Sequence, residues 1–275
     1  MGFSPDLFVV IGDVHAQLGL ALTALAQIER EQGCRIAQVF SVGDLGLFLS
    51  EQDWDFFTGP SRHKHPEWSR AIREAWNHWE WPLAMIGGNH EPWHKLRVFD
   101  ADNFAGKLTY TNGGILPHSL SGLIVVGLSG IQREPKEKDS VEPGWRVILT
   151  DCQCGKTSRK VLTYYRSQEV KAAANAGPAH ILLTHDWPVG PNPNDVGSAR
   201  AERLIASAIR PSFHFCGHHH RSAAFATGGI EIRALNIIAD NAVKYRPKSG
   251  WAWLGNWDGE TPREIGLWPQ RNTRV

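Results

Sequence analysis

Apolar and polar positions fall in blocks along this chain, and the blocks set its elements. An apolar run at 7–11, a helical repeat through Leu18, Leu22, Leu25 and Ile28, and a second apolar run at 37–42 predict strand, helix over 17–32, strand. The short connections imply a parallel pair with a right-handed crossover. Residues 50–66 are polar and aromatic and read as a loop, and 67–79 as a helix carrying Trp68, Trp76 and Trp79. A strand at 83–87 and a helix near 92–100 follow. Strands near 108–110, 114–118 and 123–128 are expected to be antiparallel, joined by the turn signals Asn112-Gly113-Gly114 and Ser121-Gly122. A helix at 165–176, a strand at 180–184, a helix at 198–209, a strand at 213–216 and strands near 222–227 and 230–236 complete the pattern. Mixed sheets with helices outside them predict an α/β fold, a layered α/β/β/α sandwich of two sheets.

The polar residues that follow the apolar runs change the picture from fold to chemistry. Gly12-Asp13-Val14-His15, Gly43-Asp44, Gly88-Asn89-His90-Glu91, Thr184-His185-Asp186 and Gly217-His218-His219-His220 mostly stand at the ends of LFVVIGD, AQVFSVGD, PLAMIGGN, HILLTHD and FHFCGH. Side chains at strand C-termini converge on one crevice of an open α/β sheet. Imidazole and carboxylate groups suit Mn, Fe and Zn. Two such ions about 3.5–4 Å apart clamp a phosphate and lower the pKa of a water between them. The motifs therefore point to a two-metal phosphoesterase site.

In this order, D-x-H, G-D, G-N-H-E, H and G-H-x-H resemble the calcineurin-like metallophosphoesterase superfamily over roughly residues 7–236. Ile86 to Glu91, then Gly127-Leu128-Ser129-Gly130-Ile131, then Thr184-His185-Asp186-Trp187-Pro188 are similar to its RNA lariat debranching branch. The resemblance implies that Asp13, His15 and His220 bind one metal, that Asn89, His185 and His218 bind a second, and that Asp44 bridges them. It implies that His90 is the general acid, or a positive contact to the phosphate. A histidine with an ordinary pKa near 6.5 can serve that role at neutral pH. It also implies the same layered fold, and a substrate-recognition role for the insertion at 131–164.

Two departures from the resemblance narrow the reading. Gly43-Asp44-Leu45-Gly46-Leu47-Phe48 lacks the second Asp and the Arg of the protein phosphatase motif, which argues against a protein Ser/Thr phosphatase. Debranching enzymes commonly carry Cys where this chain has Asp13. The expected activity is hydrolysis of nucleotide or RNA/DNA phosphodiesters, with 2′–5′ linkages as its sharpest form. The alternatives are a phosphomonoesterase or dinucleoside polyphosphate hydrolase and, more remotely, a non-catalytic binding scaffold.

Composition bounds the rest. The chain has 275 residues, 42% of them hydrophobic, enough for one sizeable core. Residues 1–240 read as the phosphoesterase domain, and 241–275 as a Trp-rich extension packed on it. Net charge is +1, so nucleic-acid binding must come from a local patch. Lys156, Arg159, Lys160 and Arg166 are candidates, flanked by Trp145, Tyr164 and Tyr165, because basic residues with aromatics suit a single strand. Trp251, Trp253, Trp257 and Trp268, with Arg246, Lys248, Arg263 and Arg271 among them, are expected to pack on the core and shield a sheet edge, not to present a stacking platform. Cys152-Gln153-Cys154 lacks the spacing of a structural zinc pair and reads as exposed loop thiols, with Cys34 and Cys216 buried. His219 should point away from the two ligands flanking it, His63 and His65 read as a solvated loop, and His78, His94, His118, His180 and His214 as structural. No secretory leader and no apolar stretch of membrane-spanning length is present, and a cytoplasmic location is expected. The sequence is compatible with a monomer.

Overall fold

The computed structural model describes residues 6–132, 144–188, 199–239 and 246–269. Its strands, in chain order, are β1 (Asp6–Ile11), β2 (Ile36–Ser41), β3 (Leu83–Met85), β4 (Leu108–Tyr110), β5 (Gly113–Ile115), β6 (Val125–Leu128), β7 (Ile181–Thr184), β8 (Phe213–Cys216), β9 (Ala223–Thr227), β10 (Ile230–Ala234), β11 (Ala252–Trp257) and β12 (Pro262–Trp268). They form two six-stranded mixed sheets, ordered β12-β11-β1-β2-β3-β4 and β5-β6-β7-β8-β10-β9. The principal helices are α1 (Leu18–Gln32), α2 (Ser69–Asn77), α3 (Trp93–Leu96), α4 (Trp145–Gln153), α5 (Ser167–Ala174) and α6 (Ala199–Ile209).

Strand alternation sorts the core into layers. Leu7, Val9 and Ile11 face outward with Val39, Leu83 and Met85, where Leu18, Leu25 and Ile28 of α1 and Ile72 and Trp76 of α2 cover them. Phe8, Val10, Phe40 and Ala84 point the other way and interlock with Val125, Ile181, Leu183, Phe213, Phe215 and Trp253 between the sheets. Val126, Leu128 and Leu182 turn outward from the second sheet onto Ala173 of α5 and Ile205 and Ile209 of α6. The order is helix, sheet, sheet, helix. β1 is buried on both faces, which is why its sequence is a continuous apolar run. Among the described residues no helix is long and apolar enough to cross a membrane.

The three strands expected to run antiparallel over 108–128 do not form one meander. β4 pairs parallel with β3 and closes the first sheet, whereas β5 pairs antiparallel with β6 in the second. Thr111 and Asn112 carry the chain from one sheet to the other. The Asn112 Oδ1 accepts from Arg97 Nη1 at 2.8 Å and from the Tyr110 hydroxyl at 3.1 Å, which fixes the crossing. The Asn-Gly-Gly signal marks a change of sheet here instead of a hairpin.

The insertion is more regular than its sequence suggests. Its first part, 133–143, lies outside the described residues, but α4 and a 3₁₀ turn at Arg159–Thr163 follow. Cys152 lies on the inner side of α4 and is buried, while Cys34, just past the left-handed cap Gly33 of α1, is exposed; both reverse the expectation. Residues 252–257 and 262–268 extend the first sheet itself, β11 running antiparallel along the whole of β1. Trp251, Trp253, Trp257 and Trp268 are all buried, and Arg271 lies outside the described residues.

The segment expected as a loop at 50–66 is organised by Asp53. This buried carboxylate caps the 3₁₀ helix Glu51–Phe56 through the Ser50 N–H at 3.0 Å. It also pairs with Lys95 at 2.8 Å and His94 at 3.1 Å, tying the segment to α3. Burial opposes its charge, but His94 and Lys95 outweigh burial and hold its pKa at about 2. Asp53→Asn is expected to lower stability at neutral pH by about 3 kcal/mol, by stranding half-buried partners. A depressed folded pKa stabilises above the unfolded value near 4 and is lost as pH falls toward 2. Denaturant titrations should therefore show the difference between wild type and variant at pH 7 and its shrinkage below pH 4. A difference constant with pH would show that the carboxylate charge is not what holds the segment.

Candidate metal centre

The chain leaves β1, β2, β3, β7 and β8 into loops that meet over the seam between the sheets. Val14 N and His15 N donate to Asp44 O at 3.0 and 2.8 Å, stitching the first loop to the second. Leu45 N and Gly46 N donate to the Glu91 carboxylate at 2.8 and 3.1 Å, stitching the second to the third. Burial, with the neighbouring Asp44 adding to it, pushes the Glu91 carboxyl up to about 8 against these two bonds. The third loop is pinned from behind by the Ser-Gly of the 127–131 segment. Gly87 N donates to Ser129 Oγ at 2.9 Å and Gly130 N to Gly87 O at 2.7 Å. From the second sheet, His218 N donates to the Asp13 carboxylate at 3.1 Å.

These loops bring the seven expected ligands together. His15 Nε2 and His220 Nε2 face each other at 2.9 Å, with Asp13 Oδ2 3.2 Å from the latter. Asp44 Oδ2 lies 3.5 Å from His15 Nε2 on one side and 3.4 Å from His185 Nε2 on the other. His185 Nε2 is 3.2 Å from Asn89 Oδ1, and His218 closes the second group within 4.8 Å of Asp44 and His185. The approach is close at Gly88, where a Cβ would collide with Asp44 Oδ1 and the His185 ring. His15, Asp44, His218 and His220 all hold positive φ, between 47° and 69°. Non-glycine residues adopt this region at a cost of order 1 kcal/mol each, and they cluster at functional sites.

The donor set fits divalent ions. His185 Nδ1 faces the Val42 carbonyl at 2.8 Å; a carbonyl only accepts, so that nitrogen carries the hydrogen and Nε2 is turned to Asp44. Asp44 Oδ2 is buried without a hydrogen-bond partner, at the point both groups share. Burial works against charge on His185, yet the Asp44 carboxylate outweighs it and lifts its pKa to about 10. Burial likewise opposes the Asp13 and Asp44 charges, and the surrounding imidazoles hold both carboxyls far below the usual range. The cluster thus demands positive charge at its centre, and carboxylate, imidazole and amide oxygen donors are those that borderline divalent cations take.

His90 stands beside this cluster, its ring centroid 5.0 Å from that of His15. Burial holds its pKa below the ordinary imidazole value, against the pull of Asp44. Its backbone N–H donates to Asp44 Oδ1 at 2.7 Å, the Phe57 ring packs at 5.4 Å, and Thr58 Oγ1 donates to Asn89 O at 2.8 Å. The 57–58 contacts and the Glu91 clamp are invisible to a linear reading, although Glu91 lies inside a motif. His219 joins neither main group and lies 3.5 Å from Asp186, edge-on to Trp187. His214 is buried against Thr184 Oγ1 at 2.8 Å, and His180 Nδ1 accepts from Ile124 N. A cleft of about 340 Å³ opens beside the cluster and shares His15, His90 and His220 with it.

The four basic candidates separate. Lys156, Arg159 and Lys160 are exposed, with the Arg159 guanidinium 5.0 Å over the Phe56 ring. Arg166 is turned inward at the start of α5, only 6% exposed, so it is not presented at the surface.

Comparison with known proteins agrees with this geometry. The chain is 23% identical over 259 residues to a lariat debranching enzyme of Entamoeba histolytica, covering 86% of this chain and 70% of that one. It is 23% identical over 235 residues to a lariat debranching enzyme of Danio rerio, covering 77% of this chain but 39% of the relative. A crystal structure 13% identical superposes with a TM-score of 0.53, covering 96% of this chain and all of the other, a likeness of fold. A family model of calcineurin-like phosphoesterases matches residues 7–222. That match spans most of the chain and all seven candidate ligands with His90, and the chain belongs to the calcineurin-like phosphoesterase family.

Proposed function

We propose that this phosphoesterase is a two-metal phosphodiesterase acting on nucleotide or nucleic-acid substrates, with 2′–5′ linkages of the lariat kind as its sharpest form. The observation that carries the reading is Asp44 Oδ2, buried without a hydrogen-bond partner and placed between two groups of ligands. Asp13, His15 and His220 with Asp44 would hold one ion, and Asn89, His185 and His218 with Asp44 the other. Mn, Fe and Zn all suit these donors. When bound, the pair supplies Lewis acidity and a water of lowered pKa.

The chain's own residues do the remainder. His90, on the cleft side of the cluster, delivers a proton to the leaving oxygen. Asp44 Oδ1 fixes its backbone, and Phe57 fixes its ring. Among the described residues lining the cleft there is no Lys or Arg to clamp the second negative charge of a monoester, which favours the singly charged diester. Lys156, Arg159 and Lys160 are exposed cations suited to the backbone of a longer strand. The similarity to lariat debranching enzymes supports a branched RNA as substrate.

With Mn²⁺, the protein is expected to hydrolyse bis-p-nitrophenyl phosphate well ahead of p-nitrophenyl phosphate, and a 2′–5′ branched RNA ahead of its linear 3′–5′ control. Preference for the monoester would overturn the diesterase reading. Equal cleavage of the two RNAs would keep the diesterase and remove the branch specificity.

A further inference from the structure

The cleft beside the metal centre has an aromatic wall that supplies neither a ligand nor a proton. Phe48 and Trp54 stack at 4.3 Å and 24°, both 2% exposed, and Phe57 stands at 5.8 Å across Phe48. The Trp54 indole is locked by a 2.9 Å bond to Ser69 Oγ, and the segment behind it is anchored by Asp53. At the rim, His65 lies flat on Trp68, with rings 4.1 Å apart and 10° from parallel. Trp68 is 37% exposed, one of six large hydrophobics among the described residues left open to this degree. Large aromatic faces are normally covered in a chain that buries most of its twelve tryptophans.

The geometry points to a nucleobase subsite: the cleft between Phe57, Trp54 and the His65–Trp68 pair takes the base of the nucleotide that carries the scissile phosphate. Three observations select that occupant. The cleft shares His15, His90 and His220 with the metal centre, so whatever fills it is joined to the phosphate. The half-buried Phe57 and the His65–Trp68 pair, backed by the buried Phe48–Trp54 stack, give it rigid aromatic walls, which suit flat rings. Its described lining holds no Lys, Arg, Asp or Glu, and its polar side-chain groups are imidazoles, indole N–H groups and the Gln17 amide, so the occupant is uncharged with hydrogen-bonding edges. At about 340 Å³ it is of the size of a small-ligand pocket. The inference rests on the phosphodiesterase reading above and adds to it the part of the substrate that is bound.

The test pairs two diesters with one leaving group: the p-nitrophenyl ester of thymidine 5′-phosphate, and methyl p-nitrophenyl phosphate, which has no base. With Mn²⁺, wild type is expected to prefer the nucleoside ester in kcat/KM by roughly 5- to 100-fold, the range that stacking one base supplies. Trp68→Ala should shrink that ratio about tenfold, through KM for the nucleoside ester and not through kcat. Turnover of both esters with a ratio near one in wild type overturns the subsite and leaves the phosphodiesterase reading standing. So does an equal loss on both esters in the variant. If neither ester turns over, the phosphodiesterase reading has failed, and titration of the metal-free protein with adenosine, followed by tryptophan fluorescence, decides the pocket alone. Saturable quenching that weakens about tenfold in Trp68→Ala supports it, and no saturable quenching overturns it.

Discussion

Asp44→Asn is expected to leave the protein folded and nearly free of tightly held divalent metal. The substitution is nearly isosteric. An Asn side-chain oxygen still accepts the 2.7 Å bond from His90 N, and Asn tolerates the positive φ of 52° better than most residues. What is lost is the negative charge between His15 and His185, the only carboxylate among the described residues that both ligand groups share. Metal analysis after dialysis should show both sites depleted, with unfolding still cooperative. Wild-type metal content in the variant would remove Asp44 from the bridging position. Depletion of one ion alone would make it a ligand to that ion only.

His90→Ala is expected to keep the metals and lose most turnover, by about 10²–10⁴-fold. The side chain makes no bond to any of the seven ligands; its connection to Asp44 runs through the backbone N–H, which alanine retains. The loss should be largest on esters with poor leaving groups, which need a proton most, and smallest on nitrophenolate. A uniform loss across leaving groups would make His90 a contact to the phosphate instead of the acid. Near-normal turnover would remove it from the reaction.

Much of this was legible in the sequence for a simple physical reason. Strands buried on both faces must be continuous apolar runs, so the residues that follow them announce themselves as Asp13, Asp44, Asn89, His185 and His218. The helix expected at 198–209, found as Ala199–Ile209, and the strand at 213–216 were equally plain, being strongly periodic or largely apolar. Asn112-Gly113-Gly114 misled because the same residues serve a hairpin and a change of sheet, and only partners distant in sequence, here Arg97 and Tyr110, decide between them. Residues 50–66 show no period, since their order comes from Asp53 reaching Lys95 and from rings that meet edge and face. Arg166 sat in a basic stretch, but the composition of a stretch does not say which way a side chain turns. Glu91 gave no separate signal, because its partners, the amides of Leu45 and Gly46, belong to another loop.

The pairing of β1 with β11 has a consequence for the birth of the protein. Asp13 is made long before the backbone that surrounds it. Its carbonyl accepts from Ile238 N, and the preceding Gly12 donates to Trp251 O. β1 lies inside the sheet, between β2 and β11, so until β11 leaves the ribosome one whole edge of an apolar strand stays unpaired. The nascent chain therefore carries this ligand motif on an open edge until β11 is made, and that half of the site closes only when the two distant segments meet.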